Sequence, residues 1–161
     1  NFQYASDLHL EFAQNKKVMS KKPIQPAAEI LLLAGDIMPI CDIAKHQDFL
    51  NYISDHFKIT YWLPGNHEYF GSDLANSPIS FETSIRSNIV LLNHQVKTLE
   101  DNAGSIELVF STLWSSISPN LYEIVSDSYY EKYIINPFLV KFNHSTFTDI
   151  IFLIAIILLV V

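Results

Sequence analysis

The sequence predicts a layered α/β fold, and three runs carry that expectation. An apolar run, Ile30-Leu31-Leu32-Leu33-Ala34, stops at Gly35, as a strand buried on both faces does. Phe49, Ile53 and Phe57 then recur at helical spacing with Leu50 beside them, giving one apolar face. A β-branched and aromatic run, Ile59-Thr60-Tyr61-Trp62-Leu63, follows and ends at Pro64-Gly65. Strand, helix, strand is the repeating unit of a sheet covered by helices.

The other elements are read in order around that unit. Phe2-Gln3-Tyr4-Ala5 is a short strand entering Asp7. Residues 13–28, with Lys16, Lys17, Lys21, Lys22, Pro23 and Pro26, read as a polar loop. Phe81 and Ile85 suggest a second helix, before a strand at Ile89-Val90-Leu91-Leu92. Asn102-Ala103-Gly104 lies between Val96–Leu99 and Ile106–Phe110, the pattern of a hairpin. Tyr122, Tyr129, Tyr130 and Tyr133 mark an amphipathic, aromatic-rich helical stretch. The apolar run from Ile150 to Val161 is shorter than the ~20 residues of a membrane span and reads as a core strand or helix.

With 161 residues, 49% of them hydrophobic, the chain is large enough for one domain with a real core. Neither a repeat nor a linker divides it, so 1–161 is read as a single domain. The chain opens at Asn1 close to its first motif and stops inside an apolar run. The expectation is therefore a partial domain, incomplete at the C-terminus.

A net charge of −7 argues against a nucleic-acid groove built from Lys and Arg. One cysteine, Cys41, leaves no internal disulfide framework and fits a reducing, cytoplasmic setting. Its side chain is expected to serve as a small buried or half-buried hydrophobe. No membrane span is expected.

Chemistry-bearing residues gather where the strands end. Asp7 and His9 lie two apart, so on an extended backbone they point to one side and make a plausible ligand pair. Asp36 follows a strand and a glycine, a place where an ion can approach the backbone, though a helix cap would use the same residue. In Gly65-Asn66-His67-Glu68, Asn66 offers a weak neutral oxygen donor. The imidazole of His67 can bond a phosphoryl oxygen or protonate a leaving alkoxide. A parallel sheet delivers such residues to its carboxyl edge. Carboxylate, imidazole and amide donors gathered there suit a pair of divalent cations.

Asp7-Leu8-His9, Gly35-Asp36 and Gly65-Asn66-His67-Glu68, in this order and each behind a strand, resemble the calcineurin-like metallophosphoesterases. The resemblance runs from Phe2 to about Trp114, where Thr112-Leu113-Trp114 also matches a recurring segment. It implies the phosphoesterase sandwich fold and a binuclear centre holding two divalent metal ions, of which Mn, Fe and Zn are candidates. Carried over residue by residue, Asp7 and His9 bind one ion, Asp36 bridges both, and Asn66 binds the other. His67 contacts the phosphate beside Asn66 and acts as the catalytic general acid.

Two departures accompany the resemblance. Many members carry an Asp three residues after the bridging one; here that position is Pro39, and Asp42 has the wrong spacing. The family's later His and Gly-His-x-His run have no counterpart in this sequence, where His46, His56, His94 and His144 read as solvated surface residues. The expected function is metal-dependent hydrolysis of phosphomono- or phosphodiesters on a small-molecule or macromolecular substrate. The alternative is an inactive fragment or degenerate paralogue that keeps the fold and at most one weak metal site.

Overall fold

The computed structural model of the chain describes residues 1–73, 77–101, 104–113, 140–141 and 154–160. Tyr122, Tyr129, Tyr130, Tyr133, Trp114 and His144 lie outside them. Strands β1 (Phe2–Ala5), β2 (Ile30–Ala34), β3 (Ile59–Leu63), β5 (Phe81–Arg86) and β6 (Ile89–Asn93) form one sheet in the order β1-β2-β3-β6-β5. The contacts β1–β2, β2–β3 and β3–β6 are parallel, and β5 closes the edge antiparallel to β6. A second sheet has the order β10-β8-β7, with β7 at Gln95–Asp101, β8 at Gly104–Leu113 and β10 at Ile154–Val160. A two-stranded pair joins β4 (Ser72–Asp73) to β9 (Val140–Lys141).

The period-two alternation of strand side chains sorts the core into two layers. Leu31, Leu33, Trp62, Ile89 and Leu91 point to one face, where they meet Leu50, Ile53 and Phe57 of the helical side. Leu32, Tyr61, Leu63 and Leu92 point to the other face and meet Leu108 and Phe110 of the second sheet. The rings of Tyr61 and Phe110 lie 5.4 Å apart across that interface. Strands buried on both faces need no polar alternation, which is why β2 reads as an unbroken apolar run.

Helix α2 (Gln47–His56) covers the first layer. Asn88 ties its end to β6: its amide donates to the carbonyls of Ser54 and Phe57 at 2.8 and 2.9 Å. It thereby caps groups that the last helical turn leaves without partners.

Two sequence expectations change, and one is narrowed. Residues 13–21 form helix α1 (Ala13–Lys21) within the stretch read as loop, and none of its residues is buried. A helix without a buried stripe leaves no apolar period to detect. Phe81 and Ile85 stand on a strand: residues four apart share a face in both a helix and a strand, so that pair could not distinguish them. The terminal apolar run is a strand over Ile154–Val160, paired antiparallel along β8 from Leu113 to Glu107. The hairpin appears as β7 and β8. Among the described residues, no helix is long and apolar enough to cross a membrane.

Candidate metal centre

Because β1, β2 and β3 run parallel, the segments that follow them leave the sheet at one edge. These segments are laced to one another. Beyond the strand ends, the N–H groups of Asp7, His9 and Leu10 donate to the carbonyls of Gly35, Asp36 and Ile37 at 3.0, 2.9 and 2.8 Å. The β1 segment is thus zipped to the β2 segment. The β2 segment is pinned in turn to the β3 segment, where the N–H of His67 donates to Asp36 Oδ1 at 2.9 Å.

This lacing puts the backbone into the left-handed region at Asp7 (φ 55°), His9 (φ 46°) and Asp36 (φ 57°). Non-glycine residues rarely adopt it, at a cost on the order of 1–3 kcal/mol each, and such strain concentrates at functional sites. The sequence spacing predicts that Asp7 and His9 share a face on extended backbone. They share a site instead through two tight left-handed turns, because their N–H groups must reach the neighbouring segment.

The ligand atoms of Asp7, His9 and Asp36 all lie within 4.8 Å of one another. Two carboxylates and an imidazole on a partly exposed edge form a donor set that suits a divalent cation. Asn66 opens the 3-10 turn His67–Tyr69 at the same edge, and its side chain makes no cap bond to that turn.

The floor of the site is Glu68, which is fully buried. Its Oε1 accepts from the Ile37 N–H at 2.8 Å and the Trp62 indole N–H at 3.0 Å. Its Oε2 accepts from the N–H groups of Asp36 at 2.9 Å and Gly65 at 2.6 Å. Burial pushes the Glu68 carboxyl up to about 7, and the N–H donors pull the other way. Only the ionised form can accept from all four donors, so it is the form that this surrounding completes. Gly65 is required here for space: a Cβ would collide with Asp36 Oδ1 and lie 2.6 Å from the Asp36 nitrogen.

His67 faces a second group. Its Nδ1 lies 2.6 Å from Glu11 Oε1, and the Nδ1 of His9 lies 3.2 Å from the same oxygen. The ring of Phe70 is 4.1 Å from that of His67, and Phe12 stands 6.4 Å away. The sequence offered no carboxylate to orient His67, since position 39 is proline; the structure brings Glu11 from another segment. Alternation in Asp7-Leu8-His9-Leu10-Glu11 was the available signal. For Glu68, the signal was an acid placed directly after His67.

A family model described as calcineurin-like phosphoesterase matches residues 4–148. The chain belongs to this family. The phosphoesterase fold accounts for the parallel-rich sheet packed on a second sheet, and members of the family typically bind divalent metals. An uncharacterised protein of Acanthamoeba polyphaga mimivirus, L509, is 31% identical over 147 residues, covering 82% of this chain and 50% of that protein. A solved structure, the phosphopantetheinyl hydrolase PptH from Mycobacterium tuberculosis, superposes with a TM-score of 0.55 at 19% identity, over 87% of this chain and 54% of that one. The chain therefore spans about half the length of both proteins.

Residues outside the site divide. His94 is exposed, and His56 is exposed with its Nδ1 2.7 Å from the Tyr52 carbonyl, as expected of surface histidines. His46 is not one of them: it is buried, burial pushes its pKa down, and its Nδ1 has no hydrogen-bond partner. Cys41 is exposed rather than buried, its sulfur 3.3 Å from the Phe70 carbonyl oxygen. Tyr69 belongs to the core, and burial raises its phenol to about 12.

Proposed function

We propose that this chain carries the metal-binding half of a phosphoester hydrolase centre. The observation that carries the reading is the convergence of Asp7, His9 and Asp36 within 4.8 Å at the carboxyl edge, with His67 hydrogen-bonded to Asp36. Asp7 and His9 would hold one ion, Asp36 would bridge two, and Asn66 would serve the second. Divalent cations such as Mn, Fe or Zn, when bound, supply charge against the phosphoryl oxygens and acidify a water.

The remaining chemistry belongs to the side chains. Asp36 keeps its carboxylate aimed by accepting the His67 N–H, so ligand and acid are held in one frame. Asn66 and His67 would bind a non-bridging oxygen of a phosphorylated small molecule or macromolecule. His67 would deliver a proton to the leaving oxygen as the ester bond breaks. Phe70 packs against the ring at 4.1 Å and limits the orientations open to it. The acidic balance disfavours polymeric nucleic acid as substrate, and the single cysteine supports a cytoplasmic setting.

A second reading is metal binding without turnover, in which Asp7, His9, Asp36 and Asn66 hold at most one ion. Mn-dependent hydrolysis of an aryl phosphate mono- or diester decides between them. Under the first reading Asp36→Asn abolishes turnover, and His67→Ala lowers it roughly 10²–10⁴-fold at unchanged metal content. Calorimetry finding one weakly held ion, with no turnover to lose, assigns the chain to the second reading. Activity and metal content both insensitive to Asp36→Asn would overturn the site itself.

A further inference from the structure

The geometry points to Glu11 as a positioning residue that sets the tautomer of two imidazoles at once, His9 and His67. The inference deepens the proposed metal centre and rests on it for the meaning of the two rings. Its basis is three distances around one oxygen. Glu11 Oε1 lies 2.6 Å from His67 Nδ1 and 3.2 Å from His9 Nδ1, and the two nitrogens are 3.2 Å apart.

An ionised carboxylate only accepts, so a ring nitrogen bonded to it must carry the hydrogen. Oε1 has two lone pairs, and two N–H groups converging on them account for both contacts. The approach of the two nitrogens is then a consequence of the shared acceptor. With Nδ1 protonated on each ring, Nε2 is the atom left free: on His9 to meet an ion beside Asp7 and Asp36, on His67 to face the substrate. Ligating imidazoles are generally fixed in this way, by a carboxylate or carbonyl on the far nitrogen. Here one carboxylate serves a ligand and an acid together.

Glu11, His9 and His67 also bring one ligand atom each within 4.8 Å of one another, close enough for a cation, so the tautomers are read on the metal-free chain. The Glu11 side chain is only 14% exposed, and its other oxygen, Oε2, is buried without a hydrogen-bond partner. Among the hydrogen bonds of the described residues, Glu11's carboxylate meets only the two rings. A carboxylate placed to hold the fold would take backbone N–H groups instead, as Glu68 does.

Long-range ¹H–¹⁵N correlation spectra of the ¹⁵N-labelled, metal-free chain, taken where both rings are neutral, test the assignment. The expected result is Nδ1–H on His9 and His67 in the unmodified chain. Glu11→Leu should move both rings to the Nε2–H form that imidazole prefers in water. Glu11→Gln, which keeps an acceptor oxygen at the same reach, should preserve Nδ1–H. Calorimetric Mn affinity should fall about 10–100-fold in Glu11→Leu and less in Glu11→Gln. Nε2–H on either ring before mutation, or spectra unchanged in Glu11→Leu, would overturn the inference. If Glu11→Leu fails to fold, Glu11→Ala replaces it: loss of Nδ1–H is expected there too, and its retention overturns the inference. An Mn affinity insensitive to Asp36→Asn would fell the metal centre alone, because the tautomers are read without metal.

Discussion

Glu11 belongs to the segment that follows β1 and Glu68 to the segment that follows β3, and their surroundings differ in kind. Glu68 is fully buried and meets three backbone N–H groups and one indole N–H. Glu11 keeps some exposure, meets two imidazole nitrogens through a single oxygen, and leaves the other oxygen without a hydrogen-bond partner. The donors tell the two roles apart. Backbone N–H groups cannot change state, so a carboxylate that collects them holds geometry. Imidazoles can, so a carboxylate that collects them directs chemistry.

The largest expected effect falls on the first side of this comparison. Glu68→Gln keeps the volume but swaps one accepting oxygen for an NH₂ that faces two N–H donors. Two buried N–H groups lose their acceptor at about 1–3 kcal/mol each, so the chain should lose roughly 3 kcal/mol or more. Urea denaturation measures it. A loss under about 1 kcal/mol would mean that Glu68 does not fasten these segments.

Gly65→Ala comes next and acts on the same fastening from the other direction. The added methyl meets the Asp36 carboxylate and also the Asp36 backbone nitrogen, which cannot swing aside. A cost of about 1–3 kcal/mol is expected, together with weaker Mn binding as Asp36 is displaced. Stability lost with Mn affinity unchanged would show that Asp36 can move without consequence for the site.

How much of this was legible in the sequence depends on whether a residue's signal is local. Leu31 to Leu33 and Tyr61 to Leu63 declared their strands, because burial on two faces leaves only apolar choices. Asp7, His9, Asp36, Asn66 and His67 stood out as candidates by position, beyond the ends of strands, and the structure gathers the ligand atoms of Asp7, His9 and Asp36. Their left-handed turns were not legible: extended and left-handed backbone carry the same residue names, and the hydrogen bonds that decide between them cross from Asp7 to Gly35 and from His9 to Asp36. Helix α1 was hidden because it buries none of its residues. The phase of Phe81 and Ile85 was hidden because their spacing suits two periods. Glu11 and Glu68 were missed as partners because their acceptor roles exist only once three distant segments meet.

A smaller effect is expected where the second sheet clasps β3. Thr112 Oγ1 donates to the Pro64 carbonyl at 2.7 Å, while Asn93 Oδ1 accepts the Thr112 N–H at 2.9 Å. Thr112→Val removes only the first bond at nearly constant shape and should cost about 1 kcal/mol. The second bond, to Asn93 at the end of β6, remains, and Gly65 beyond β3 stays fastened to Glu68, so Mn affinity should not change. A fall in affinity would extend the fastened region from Glu68 into the second sheet.

The smallest stability change is expected at Glu11, and it completes the comparison. Glu11→Gln retains an oxygen for the two ring N–H groups and removes a charge whose second oxygen has no hydrogen-bond partner to lose. The replaced atom therefore breaks no bond of the fold, unlike the same substitution at Glu68. A change within about 0.5 kcal/mol is expected, the range of substitutions that touch no buried network. Comparison of the two Glu→Gln midpoints in one urea series is the check. Equal losses at Glu11 and Glu68 would show that both carboxylates hold the segments together, and the division between a fastening acid and a directing acid would be lost.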